Sequence, residues 1–156
     1  MKLRTVLPML AVATFALAAC ASKVDYEKFH EKAVEAAKQD PGYKKVTIKG
    51  SEKGSVMGVS FEVKFDHVYE KDGNDWKKTK GEDGAADLAA LEIFLMNASM
   101  IEKDDDCEYY AGSTFKVVFK DGDDKMEANF DKYGYLVSEK GKADGGEVDI
   151  KVSWSK

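Results

Sequence analysis

Apolar and polar residues alternate along much of the chain, which is the pattern of strands with one buried and one wet face. The longest alternation runs from Val59 to Tyr69, where valine, phenylalanine, histidine and tyrosine occupy every second position. Shorter segments of the same kind bring the number of predicted strands to about seven. They lie near residues 46–48, 59–69, 76–79, 115–119, 126–130, 133–137 and 148–154.

Two other segments repeat their apolar residues at the spacing of a helix. The first runs from Val24 to Gln39 and ends at Asp40-Pro41-Gly42, because proline disfavours the helical conformation of the residue before it. The second runs from about Ala85 to Glu102 and is apolar around most of its circumference. We expect it to be the central core helix; the alternative is a groove for a partner.

These elements follow one another as α-β-β-β-α-β-β-β-β. Short turns that contain Asp-Gly, such as Asp121-Gly122, connect several strands and favour hairpins. The sequence therefore predicts an α+β fold in which two helices pack on a mainly antiparallel sheet of about seven strands. We expect residues 20–156 to form one domain, since their number fits a domain of ordinary size.

The two halves of this order share one local feature. Each half places a phenylalanine-rich strand before a Lys-Asp-Gly turn, at residues 71–73 and 120–122, although the helices of the halves differ in pattern. In architecture, two such halves resemble the tandem helix-plus-sheet modules of PepSY-type and β-lactamase-inhibitor-type proteins.

The first nineteen residues have the layout of a secretory signal peptide. Lys2 and Arg4 precede an uncharged apolar run from Val6 to Ala19. This run has about 14 residues and is too short for a transmembrane helix, which needs about 20. We therefore expect residues 1–19 to be cleaved.

The end of this segment, Leu17-Ala18-Ala19-Cys20, resembles the lipobox of bacterial lipoproteins. The resemblance implies that Cys20 carries a lipid anchor and becomes the first residue of the mature protein. Ala21 after the cysteine favours the outer membrane over the inner membrane by the same resemblance. The alternative is an ordinary signal peptide, because Ala16 and Ala18 also fit an Ala-x-Ala cleavage site.

Charge and cysteine content restrict the possible functions. The whole chain has a net charge of −5, and lysines alternate with acidic residues instead of forming a basic patch, so nucleic acid is not an expected partner. If Cys20 is acylated, Cys107 has no cysteine to pair with. Its neighbours Asp104 to Asp106 and Glu108 should raise the pKa of its thiol, which favours a structural role.

No catalytic signature is present in the sequence. His30 and His67 are the only histidines, and their spacing does not fit a metal site, so we expect no catalytic residue, no cofactor and no metal. We expect His67 to be a core or rim residue at the end of its strand. The acidic clusters at residues 104–106 and 121–124 depart from the EF-hand pattern and are interpreted as solvated turns.

Two functions remain open from the sequence. The first is a non-enzymatic, lipid-anchored envelope lipoprotein that binds a protein or an envelope component through its sheet or helix surface. The alternative is a small-ligand-binding or hydrolytic domain that uses a cavity between the helices and the sheet, with His67 near the mouth of that cavity.

Overall fold

A computed structural model describes residues 21–156. The predicted signal peptide and Cys20 lie outside the described residues. Residues 21–156 form one sheet of nine strands, in which every neighbouring pair is antiparallel, with two helices packed on it. The strands are β1 (Ala21–Val24), β2 (Lys45–Val56), β3 (Val59–Asp72), β4 (Asp75–Lys80), β5 (Cys107–Gly112), β6 (Phe115–Asp121), β7 (Asp124–Phe130), β8 (Leu136–Ala143) and β9 (Gly146–Ser155).

The α+β class and the antiparallel sheet agree with the sequence prediction, but the predicted number of strands is wrong. The strand order across the sheet is β1-β5-β6-β7-β8-β9-β2-β3-β4. The two strands missed by the sequence analysis, β1 and β5, pair with each other at one edge. Strand β1 has only four residues and no readable alternation, and its last residue, Val24, lies in the segment predicted as the first helix.

The first helix, α1 (Tyr26–Ala37), has the predicted amphipathic character. Asp25 caps its start, since its carboxylate accepts a 2.8 Å hydrogen bond from the amide of Lys28. The helix buries Phe29, Ala33 and Ala36 against the sheet, as the apolar spacing predicted.

The second helix, α2 (Ala85–Leu95), is shorter than predicted. It ends seven residues before Glu102, and a short 3-10 turn follows at Ala98–Met100. Ala90, Ile93 and Phe94 are buried, whereas Leu88 and Leu95 are 66% and 64% exposed. The prediction of a central core helix is therefore correct for one side of α2 only, because Leu88 and Leu95 are exposed.

The core lies between the helices and one face of the sheet. Two glycines on this face, Gly50 and Gly141, have φ values of 135° and 150°. A Cβ atom at either position would lie about 2 Å from a carbonyl oxygen of the neighbouring strand, of Asp149 and Lys125 respectively. Only glycine allows the strands to approach so closely at these two points. Among the described residues, no helix is long and apolar enough to cross a membrane.

Candidate functional site: an aromatic cleft

A cleft of about 330 Å³ opens between the end of α2, the segment after α1 and one end of the sheet. We call it the aromatic cleft because five aromatic side chains line it together with a few polar and aliphatic ones. Its lining residues are Asp40, Pro41, Tyr43, Lys71, Trp76, Phe94, Leu95, Asn97, Tyr135 and Trp154. Both tryptophans of the chain are among them.

Trp154 lies at the centre of the aromatic cluster. Its ring stacks on Tyr43 at a centroid distance of 5.3 Å and on Phe94 at 5.8 Å. Tyr135 packs against it at 4.9 Å. Its indole N–H donates a 2.8 Å hydrogen bond to the carbonyl oxygen of Leu136, so the ring is fixed by packing and by its polar atom.

Strand pairing brings these rings to the same end of the sheet. Trp154 pairs with Val46 across β9 and β2, and Trp76 pairs with Lys71 across β4 and β3. The amide of Lys71 also donates a 2.8 Å hydrogen bond to the carbonyl oxygen of Lys44, which holds the segment that carries Tyr43 against the sheet.

Asp131 supports the cleft from the turn between β7 and β8. It accepts a 2.5 Å hydrogen bond from the hydroxyl of Tyr43, and its other oxygen accepts bonds from the amides of Tyr133 and Tyr135 at 2.9 and 3.0 Å. The pKa of Tyr43 is raised far above its usual value, mainly by burial and secondly by the hydrogen bond to Asp131. Tyr43 therefore stays protonated and remains a hydrogen-bond donor.

The cleft also contains polar groups of both signs. Among residues 21–156, the ammonium of Lys71 and the hydroxyl of Tyr135 have no side-chain partner within bonding distance. Asp40 uses one carboxylate oxygen to accept a 2.8 Å bond from the amide of Gly42. Burial and the nearby carboxylates of Asp131 and Asp40 raise the pKa of Tyr135, so its hydroxyl is protonated at neutral pH.

His67 does not line the aromatic cleft. It is fully buried on β3, as the alternation predicted, and its Nε2 donates a 3.0 Å hydrogen bond to the carbonyl oxygen of Glu82. Gly81 packs directly against the imidazole, because a Cβ atom there would lie 2.2 Å from the ring. Two rings, Tyr69 and Phe94, separate His67 from the cleft.

The other titratable candidates are placed apart from the cleft. His30 lies on α1 and stacks on Tyr26 at 5.5 Å. The thiol of Cys107 is partly buried on β5, and burial, followed by Asp104 and Asp106, raises its pKa, in the direction that the sequence predicted. Within the described part of the chain, no three histidine, cysteine or acidic side chains converge as metal ligands do.

Comparison with protein families, curated proteins and solved structures finds no match for this chain.

The sequence analysis assigned Trp76, Tyr135 and Trp154 to predicted strands but did not bring them together. The alternation pattern shows which face of a strand is apolar, yet it does not show which part of that face the helices leave open. The sequence offered one signal, since both tryptophans lie at the ends of predicted strands, Trp76 at the start of one and Trp154 at the end of another. Tyrosine and tryptophan are enriched at interfaces because they combine a large apolar face with a polar group.

Proposed function

We propose that this protein is a non-enzymatic, lipid-anchored lipoprotein of the bacterial envelope that binds an envelope component in the aromatic cleft. The observation that carries the proposal is the open cleft lined by five aromatic side chains. Aromatic rings that are left accessible, fixed by packing and accompanied by a few polar groups are typical of ligand sites. Their rigidity lowers the entropy lost on binding.

The position of the cleft relative to the proposed anchor supports this function. Strand β1 begins at Ala21, directly after the cysteine of the lipobox-like segment. Ala21 lines a groove together with Asp131, and Asp131 in turn holds Tyr43 in the aromatic cleft. A lipid on Cys20 would keep this end of the sheet close to the membrane surface, which we propose to be that of the outer membrane.

The cleft also refines the alternative function. It lies between a helix and the sheet, so binding of a small ligand there is compatible with the second hypothesis. Its hydrolytic form required His67 near the mouth of the cavity. Because His67 is buried behind Tyr69 and Phe94, the geometry favours binding over hydrolysis. The proposed activity needs no metal, cofactor or nucleic acid.

Anchoring is tested with the full chain expressed in a bacterium. Replacement of Cys20 by serine should move the protein from the membrane fraction to the soluble fraction, because acyl burial supplies the attachment. Thermal unfolding of the released protein should match that of wild type without its lipid. A Cys20→Ser variant that stays in the membrane fraction would contradict the proposed anchor.

Ligand binding is tested by capture of envelope fragments on immobilised protein. We expect Trp76→Ala to abolish capture, whereas Phe61→Ala, which removes an exposed aromatic ring at the other end of the sheet, should not reduce it. Lys71→Ala serves as a second cleft variant, since the exposed Lys71 side chain contributes little to folding. Equal capture by wild type and both cleft variants would refute the aromatic cleft as the site.

A further inference from the structure

We infer that the ligand of the aromatic cleft is a pyranose ring of an envelope glycan; this inference rests on the proposed function. Three properties of the cleft support it: an aromatic wall with an unstacked ring, polar groups of both signs and a small volume.

The wall of the cleft offers an aromatic surface on which a sugar can lie. Trp76 contacts Phe94 and Trp154 at interplanar angles of 75° and 82°, so within the described part of the chain no ring stacks in parallel on its indole. The face of an aromatic ring carries partial negative charge, and the C–H groups on one side of a pyranose carry partial positive charge. The exposed side chain of Leu95 extends the apolar surface beside Trp76.

The polar groups of the cleft match a neutral, hydroxyl-rich ligand. Lys71 is a donor, and the hydroxyl of Tyr135 can donate or accept. Asp40 has one carboxylate oxygen with no hydrogen-bond donor among residues 21–156, so this oxygen can accept. Because Lys71 and Asp40 carry opposite charges, the cleft has no net preference for a cationic or an anionic ligand. Hydroxyl groups donate and accept, so they satisfy both kinds of partner at once.

A peptide fits these groups less well. The carbonyl groups of a bound peptide are acceptors and need hydrogen-bond donors from the cleft. Here the indole N–H of Trp154 is bonded to Leu136, and the hydroxyl of Tyr43 is bonded to Asp131. These two donors are already occupied within the protein, so Lys71 and the hydroxyl of Tyr135 are left to bind a peptide carbonyl.

The size of the cleft limits what it can hold. Ligand pockets have volumes of roughly 300 to 1,000 Å³, and this cleft, at about 330 Å³, is at the lower end of that range. It is large enough for one or two sugar rings, and its open side allows the rest of a longer glycan to extend into solvent.

The inference is tested with envelope fragments treated in three ways before capture by the full-length protein. One portion is digested with protease and with an amidase that removes peptide stems from glycan strands. A second portion is extracted with chloroform and methanol to remove phospholipids. A third portion is left untreated. Bound material is eluted, hydrolysed in acid and analysed for monosaccharides, with Trp76→Ala and Phe61→Ala as the cleft variant and its matched control.

A glycan ligand is supported if wild type still captures material after both treatments and this material yields monosaccharides. Capture should also fall at least tenfold in Trp76→Ala but not in Phe61→Ala. Because both tryptophans line the cleft, the digested glycan should also change the tryptophan fluorescence of the wild-type protein. Capture that depends on Trp76 but is abolished by protease and amidase, or by solvent extraction, would overturn the glycan and leave the proposed binding function intact. Absence of any capture by wild type would refute the proposed function itself.

Discussion

The hydroxyl of Tyr43 donates a 2.5 Å hydrogen bond to Oδ2 of Asp131, a residue 88 positions later in the chain. This bond joins the segment that precedes β2 to the turn between β7 and β8, so it closes one side of the aromatic cleft across the sheet. The same carboxylate orders its own turn through the amides of Tyr133 and Tyr135.

Removal of this bond should destabilise the protein and loosen the cleft. We expect Tyr43→Phe to lower the free energy of unfolding by about 1 to 3 kcal/mol, because the partly buried carboxylate of Asp131 loses a donor. Urea unfolding of the purified domain measures this change. Tyr133→Phe is the control, since the hydroxyl of Tyr133 has no protein partner within the described residues. Equal destabilisation by the two substitutions would refute a special role for the bond.

The hairpin between β2 and β3 contains a strained turn residue. Met57 has a φ of 52° and is 98% exposed, and Gly58 follows it with a φ of 80°. The hairpin between β8 and β9 has nearly the same geometry at Asp144 and Gly145, with φ values of 52° and 74°. Asparagine and aspartate tolerate this conformation, whereas an unbranched apolar residue such as methionine rarely adopts it.

We therefore expect Met57→Asn to raise the free energy of unfolding by about 1 kcal/mol and the reciprocal Asp144→Met to lower it by a similar amount. Both changes are read from the midpoint of urea unfolding. A Met57→Asn variant that is no more stable than wild type would contradict the strain assigned to this turn residue.

The contribution of the edge strand β1 to stability should depend on pH through Glu108. Its carboxylate contacts Lys23 of β1 at 2.9 Å and Lys120 of β6 at 3.0 Å. The hydrogen bonds from Lys23, Lys120 and Tyr110 lower the pKa of Glu108 from 4.5 to about 2. A lowered carboxyl pKa stabilises the folded state above pH 4.5, and this contribution is lost as the pH falls from 4.5 through 2.

We expect Glu108→Gln to have a lower free energy of unfolding than wild type at pH 6. This difference should be smaller at pH 2, and urea unfolding at both pH values measures it. Glu35→Gln is the control, because the Glu35–Lys38 pair on α1 is exposed and contributes little. A difference between wild type and Glu108→Gln that is the same at both pH values would contradict the assigned role of the ion pairs.

Ionisation of Glu139 should destabilise the folded state, whereas ionisation of Glu108 stabilises it. It lies on β8 opposite Ile150, on the same face of the sheet as the core, and burial followed by the charge of Glu52 raises its pKa. The folded state then binds a proton more tightly than the unfolded state. The protein therefore loses stability as the pH rises from the unfolded pKa through the raised folded pKa.

At neutral pH, Glu139→Gln should raise the melting temperature, because it removes a carboxylate whose charged form is disfavoured by burial and by Glu52. Glu147→Gln, on the exposed side of the following strand, should leave the melting temperature unchanged. A lower melting temperature for Glu139→Gln than for wild type would mean that the carboxylate has a favourable partner.

The sequence by itself determined the features that depend on local periodicity. Alternation over residues 59–69 and in six other segments predicted strands, and Asp-Gly turns predicted their antiparallel pairing. Helix α1 and its buried residues were predicted because its polar and apolar faces differ clearly. The buried position of His67 follows from the same alternation.

Only the tertiary structure decided the features that depend on distant contacts. Strand β1 exists because Ala21 to Val24 pair with residues 109–112, and four residues are too few to carry a period of their own. Helix α2 ends at Leu95 because the chain then pairs with the turn near Tyr135: the amide of Ala98 donates to the carbonyl oxygen of Gly134 at 2.8 Å.

The aromatic cleft is also a feature that depends on contacts between residues far apart in the sequence. Its rings come from five separate segments, and the sheet order places β9 beside β2 although they are separated by most of the chain. Local pattern determines which face of each strand is apolar. Which part of that face stays open depends on where α2 stops and which strands become neighbours, and both are set by contacts between residues far apart in the sequence.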